Sequence, residues 1–134
     1  MRSIRPNRIW HVAFWLYAGA LASIIILAYN GIIPLRITGI PNYDIYLHFS
    51  LMGVLAFLGH RALNRRYTSS LRFAIPLAPF LVSLFSVLEE FLQLMSALRI
   101  FELSDMLANL AGIWTFYLLD RIWLMLWSNR RTML

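Results

Sequence analysis

The sequence predicts an all-α integral membrane protein, a four-helix bundle folded as a single domain over residues 1–134. Three observations carry that expectation. The chain is 60% hydrophobic and only 13% charged, against about 25% charged in an average soluble domain, more apolar surface than a core of this size can enclose. Its mean hydropathy is +0.67, and five Trp, six Tyr and nine Phe supply the rings that collect where bilayer meets water. Four apolar runs, each near the ~20 residues a helix needs to cross a bilayer, are separated by polar or Pro/Gly punctuation. The absence of Cys excludes disulfides, thiolate metal sites and cysteine nucleophiles together.

The first run spans residues 9–29 and ends at the breaker Asn30-Gly31, with Pro34, Gly39 and Pro41 keeping the next linker non-helical. Its basic start and the small residues around Ala18-Gly19-Ala20 resemble a signal peptide. The apolar stretch continues through Ile24 to Leu27, longer than a cleaved h-region, so an uncleaved anchor is expected. The second run spans residues 44–63 and exits into a polar turn rich in Arg, with the Thr68-Ser69-Ser70 cluster. The third covers residues 73–98, with Pro76 and Pro79 in its first two turns, where a missing donor costs least. The fourth covers residues 104–127, with Ser104 as N-cap and Asp105 behind it at the positive helix end.

Basic residues favour the cytoplasmic side. Arg2, Arg5 and Arg8 precede the first run; Arg61, Arg65, Arg66 and Arg72 lie between the second and third; Arg121, Arg130 and Arg131 close the chain. Only Arg36 and Arg99 fall on the other side. Both termini are therefore expected inside. The net charge of +6 is assigned to lipid headgroups beside apolar segments rather than to nucleic acid.

The acids show the opposite bias, for all except Asp120 sit in the outer half or outer linkers. On the third run Ser83, Ser86, Glu90, Gln93 and Ala97 recur at spacings of 3, 4, 3 and 4, which places them on one helical face. Glu90 would lie about 12 Å below the outer end, at ~1.5 Å per residue. A bare carboxylate there is expensive, so it must face protein or a wet cavity. Glu89 points about 100° away and is free to pair with Gln93 or a partner subunit. Asp44 and His48 share a face of the second helix, as Asp105 and Asn109 do on the fourth. Ala108 and Gly112 form a small-xxx-small pair that admits a neighbouring backbone. The expected result is a polar funnel open to the outer face. Its rim is Asp44, Arg99 and Asp105, its wall His48, Asn109 and Gln93, and its floor Glu90.

Glu90-x-x-Gln93, Arg99, Asp105-x-x-x-Asn109 and Gly112, preceded by Asp44-x-x-x-His48-Phe49, resemble the signature of the VanZ-like family over about half the chain. Members often carry Lys after the first Asp, where this chain has Ile45, and Tyr four after the His, where it has Met52. The resemblance implies a multi-pass protein of the bacterial cytoplasmic membrane and cell envelope. It implies no established reaction.

Three functions remain open on these residues. The funnel, with Asp44, His48, Glu90, Gln93, Arg99, Asp105 and Asn109, would bind a lipid-linked or other envelope ligand in a binding or accessory protein. In an interfacial enzyme His48 oriented by Asp44 would be the base and Glu90 the acid, acting on an envelope lipid. In a structural subunit the polar groups would only join helices, while His60, Gly53 and Ala56 on the opposite face of the second helix met a membrane partner. No cofactor is expected, and a lone His beside one Asp gives no metal site. Serine hydrolysis and zinc proteolysis lack their motifs, G-x-S-x-G and H-E-x-x-H.

Overall fold

The protein is described by a computed structural model that covers residues 8–32, 40–68 and 73–131, without the side chains of residues 129–131. Arg2, Arg5, Pro34, Arg36, Gly39, Ser69, Ser70 and Arg72 lie outside the described residues, as do the side chains of Arg130 and Arg131. The architecture is all-α: α1 (Arg8–Tyr29), α2 (Tyr43–Ala62), α3 (Leu77–Gln93) and α4 (Leu103–Arg131). The strand-like pairing among the described residues is one isolated bridge, Tyr67 with Pro76, which closes the α2–α3 connection.

The helix ends follow from local chemistry. At the end of α1 Gly31 takes the left-handed conformation, its N–H bonds the Ala28 carbonyl and the Ile32 N–H bonds that of Leu27. This is a Schellman cap, as the Asn-Gly breaker predicts. The end of α2 repeats it without glycine: Asn64 and Arg65 both have positive φ, and their N–H groups bond the carbonyls of Arg61 and His60. Helix α3 is shorter than expected at both ends. Pro76 is extended and begins it, because the backbone before it is tied to the previous connection by Thr68 N–H to Ile75 O, 2.8 Å, and Leu77 N–H to Arg66 O, 2.9 Å. At the other end Leu94, Met95 and Ser96 tighten into bonds three residues back, so Ala97 leaves the polar stripe and is exposed. Helix α4 starts one residue early, with its first bonds accepted by Glu102 O. Ser104 is therefore inside the helix and not its N-cap.

Helix α2 is the hub. It packs most extensively on α4 and also meets α1 and α3, while α3 packs on α4 and α1 rests on α2. The α2–α4 approach depends on absent side chains: a Cβ on Gly112 would collide with the Phe49 backbone, and one on Gly53 with the Phe116 ring. Leu21, Met52, Leu55, Ala56, Val82 and Ile113 form the apolar core. His60, Gly53 and Ala56 are all buried within the chain, with His60 edge-on to Tyr67 and Tyr117. The expectation that this face meets a partner is therefore overturned, because α4 already covers it.

Helix α3 is amphipathic in the inverted sense. Ser86, Glu89, Glu90 and Gln93 are buried, while Leu81, Leu84, Phe85, Leu88, Phe91 and Leu92 face outward. By length and composition, one helix among the described residues, α1, is apolar enough to cross a membrane. Helix α3 has 17 residues, and α2 and α4 are diluted by Asp44, His48, Asn109 and Asp120.

Candidate functional site

The polar residues of α2, α3 and α4 converge at the end of the bundle where α2 and α4 begin and α3 ends. Asn109 of α4 is the connector: its Nδ2 donates to Glu90 Oε1 of α3 at 3.2 Å, and its Oδ1 faces His48 Nδ1 of α2 at 3.1 Å. An amide that gives its N–H to the carboxylate has its oxygen left for the imidazole, so His48 Nδ1 carries a proton and donates it. The other ring nitrogen, Nε2, faces Asp105 Oδ2 at 3.4 Å, and Glu90 Oε1 stands 3.7 Å from Nδ1. Both separations are longer than an ordinary hydrogen bond. His48 is thus flanked by acids from two other helices. Asp44, the expected partner from its own helix, is exposed at the rim.

Beside this cluster opens a cavity of about 340 Å³ whose wall includes Asp44, His48, Glu89, Gln93, Arg99, Glu102, Asp105 and Asn109. Of the seven expected binding residues, all but Glu90 line it. Glu90 is fully buried behind the wall, and its Oε2 has no hydrogen-bond partner. Contact between Glu90 and the cavity therefore runs through Asn109 and His48, and the floor expected of Glu90 is not supplied by it. Glu89 faces the cavity instead, held by Gln93 Nε2 at 3.1 Å, with Tyr29 OH donating to its backbone carbonyl at 3.4 Å. Arg99 lies over the Tyr29 ring, 5.7 Å from its centroid. The apolar remainder of the wall comes from α1 and α2, including Leu21, Ile25 and Met52, and from Leu98 and Ile100 of the α3–α4 connection. Among the described residues no group of three or more His, Cys, Asp or Glu side chains could hold a metal ion.

A second polar centre was not foreseen. At the opposite end, Asp120 of α4 is fully buried and held by Arg61 Nε at 2.7 Å and Arg65 Nε at 2.9 Å, with Arg61 Nη2 also on the carboxylate. Arg121 Nη1 donates to Tyr67 OH at 2.9 Å, and that hydroxyl lies 3.2 Å from Tyr117 OH. The signal in the sequence was the one acid amid an Arg-rich end. Helix spacing does not reveal which two arginines meet it across helices.

Comparison of the chain with known protein families, with curated proteins and with solved structures gives no match.

Proposed function

We propose that the chain is a VanZ-like integral membrane protein of the cell envelope, its four helices spanning the bacterial cytoplasmic membrane with both termini inside. Its outward cavity binds the polar head of an envelope lipid. The membrane reading is supported by the inverted α3, which turns its leucines and phenylalanines outward and its acids inward. A water-facing helix would do the reverse. The orientation is supported by the clustering of Arg at the end that holds Asp120.

The observation that carries the binding reading is the meeting of His48, Glu90, Asp105 and Asn109 from three helices beside one cavity. The chemistry of the head follows from the wall. Asp44, Glu89, Glu102 and Asp105 outweigh Arg99, so the complementary head bears an ammonium group, with a phosphate for Arg99. Phosphoethanolamine has both.

The test uses the purified full chain in dodecyl maltoside, whose head carries neither ammonium nor phosphate, titrated with dihexanoyl phosphatidylethanolamine and dihexanoyl phosphatidylglycerol. The amine-bearing lipid should bind about tenfold or more tighter, a difference of one lost charge-assisted contact, and Glu89→Gln combined with Asp105→Asn should abolish the preference with the protein still accumulating. Equal affinity, or preference for the glycerol head, overturns the reading. Loss of the His48→Ala and Glu90→Gln proteins from membranes would assign these residues to holding helices together.

One feature favours a second reading, an interfacial enzyme. His48 has Nδ1 fixed by Asn109 and Nε2 turned to Asp105 on the cavity wall, an oriented acid–base group. Turnover of the bound lipid that vanishes in His48→Ala, with binding retained, would establish it.

A further inference from the structure

A second cavity, about 470 Å³, lies between α1 and α3 and is lined entirely by apolar groups, among them Phe14, Ala18, Gly19, Leu55, Val82 and Phe85. It exists because α1 leans on α2 and does not pack along α3. Tyr29 of α1 reaches the Glu89 carbonyl at the polar end of this gap, and Phe14 and Ala78 both border Gly59 of α2 at the other. Leu21 and Ile25 line both this crevice and the polar cavity. The polar cavity, with Arg99 and the carboxylates, and a hydrocarbon-lined slot therefore share a wall at these two residues. The slot extends along α1 from Ile25 to Phe14, about 16 Å at ~1.5 Å per residue, and its side is open where Trp15, Leu81 and Phe85 are exposed.

We infer that the α1–α3 crevice is a binding site for one hydrocarbon chain of the amphiphile whose ammonium-bearing head occupies the polar cavity, Leu21 and Ile25 marking the junction between head and chain. The inference rests on the head-binding reading above and adds to it the side by which the ligand enters. A polar head alone has no use for the slot. A chain in the slot without the head would have no reason to meet the acids. Adjacency of the two cavities across Leu21 and Ile25 favours a ligand that is both at once. The slot opens sideways, so the chain enters between α1 and α3 while the head slides past Tyr29.

Gly19 provides the test, because a Cβ built there meets nothing within 4 Å. Gly19→Phe therefore fills the slot without displacing backbone, and Ala22→Phe is a second plug one turn nearer the head. The full chain in dodecyl maltoside is titrated with glycerophosphoethanolamine, which is head alone, and with a lysophosphatidylethanolamine bearing a diazirine at the chain end. The chain enters the slot from surrounding hydrocarbon and not from water, so what is read is the position of the chain end rather than a gain in affinity. Either plug should abolish chain-end labelling inside the slot and leave binding of the head alone unchanged. Photolysis should label α1 near Phe14 and Ala18 or α3 near Val82. Unaltered labelling inside the slot in both plugged variants, or labelling on the outer face of α4 at Leu118 and Ile122, overturns the inference while head binding stands. If glycerophosphoethanolamine does not bind and lysophosphatidylglycerol binds as well as the ethanolamine lipid, it is the head-binding reading that has failed.

Discussion

At the scale of single residues, the two polar centres differ in what they leave unsatisfied. Asp120 is fully buried, whereas Arg61 and Arg65 keep 18% and 31% of their side-chain surface exposed. Removing the acid frees two cations that can reach water. Removing both cations strands a carboxylate. Asp120→Ala should therefore cost about 1.5–3 kcal/mol, the worth of hydrogen bonds to a charged group, and Arg61→Ala with Arg65→Ala about 3–5 kcal/mol. Thermal unfolding in mild detergent measures both, and a more damaging Asp120→Ala would contradict the assignment. At the other centre Glu90 Oε2 lacks a partner while Oε1 accepts from Asn109. The residues of this site were legible in the sequence because Ser86, Glu90 and Gln93 share a helical face. The pairing was not: His48 looked tied to Asp44 on its own helix, but side chains from α3 and α4 reach it first.

At the scale of elements, stop signals read from residue type held where the signal is local. The Asn-Gly end of α1 is capped as its chemistry requires, since only a left-handed residue lets the last carbonyls be met. The limits of α3 were misjudged because hydropathy continues through Phe73–Ile75 and Leu94–Leu98, whereas the backbone there is claimed by the Tyr67–Pro76 bridge and by a tight turn. The α2–α4 contact gives the sharpest test of packing. Gly112→Ala puts a methyl group into the Phe49 backbone, which cannot swing away, and should destabilise by about 1–3 kcal/mol or more. Gly19→Ala, in open space on α1, should instead stabilise by about 0.5–1 kcal/mol. The same unfolding measurement reads both, and similar effects at the two glycines would refute the close α2–α4 approach.

At the scale of the whole molecule, the acids at one end and the arginines at the other give the bundle a polarity that its proposed topology must obey. The chain has no Cys, so single cysteines report without background. Ser104→Cys, exposed at the start of α4, should react with an impermeant maleimide on intact cells. Ser128→Cys, exposed near its end, should react only after permeabilisation. The reverse pattern would invert the orientation and put the cavity inside the cell.

The sequence by itself determined that the chain is helical, which residues each helix presents on a common face, and that the acids and arginines segregate to opposite ends. These follow from composition and from periods within a single helix. Which faces meet was decided by the tertiary structure. Gly53 and Gly112 let α2 and α4 close to backbone contact, which turns His48 toward Asn109 and Asp105, buries His60 and joins Asp120 to Arg61 and Arg65. Helices α1 and α3 each pack on α2 and not on one another, so the apolar slot and the wall it shares with the polar cavity exist in no single helix. Distances between helices depend on side-chain volumes meeting across a gap, and no periodicity along one chain segment encodes them.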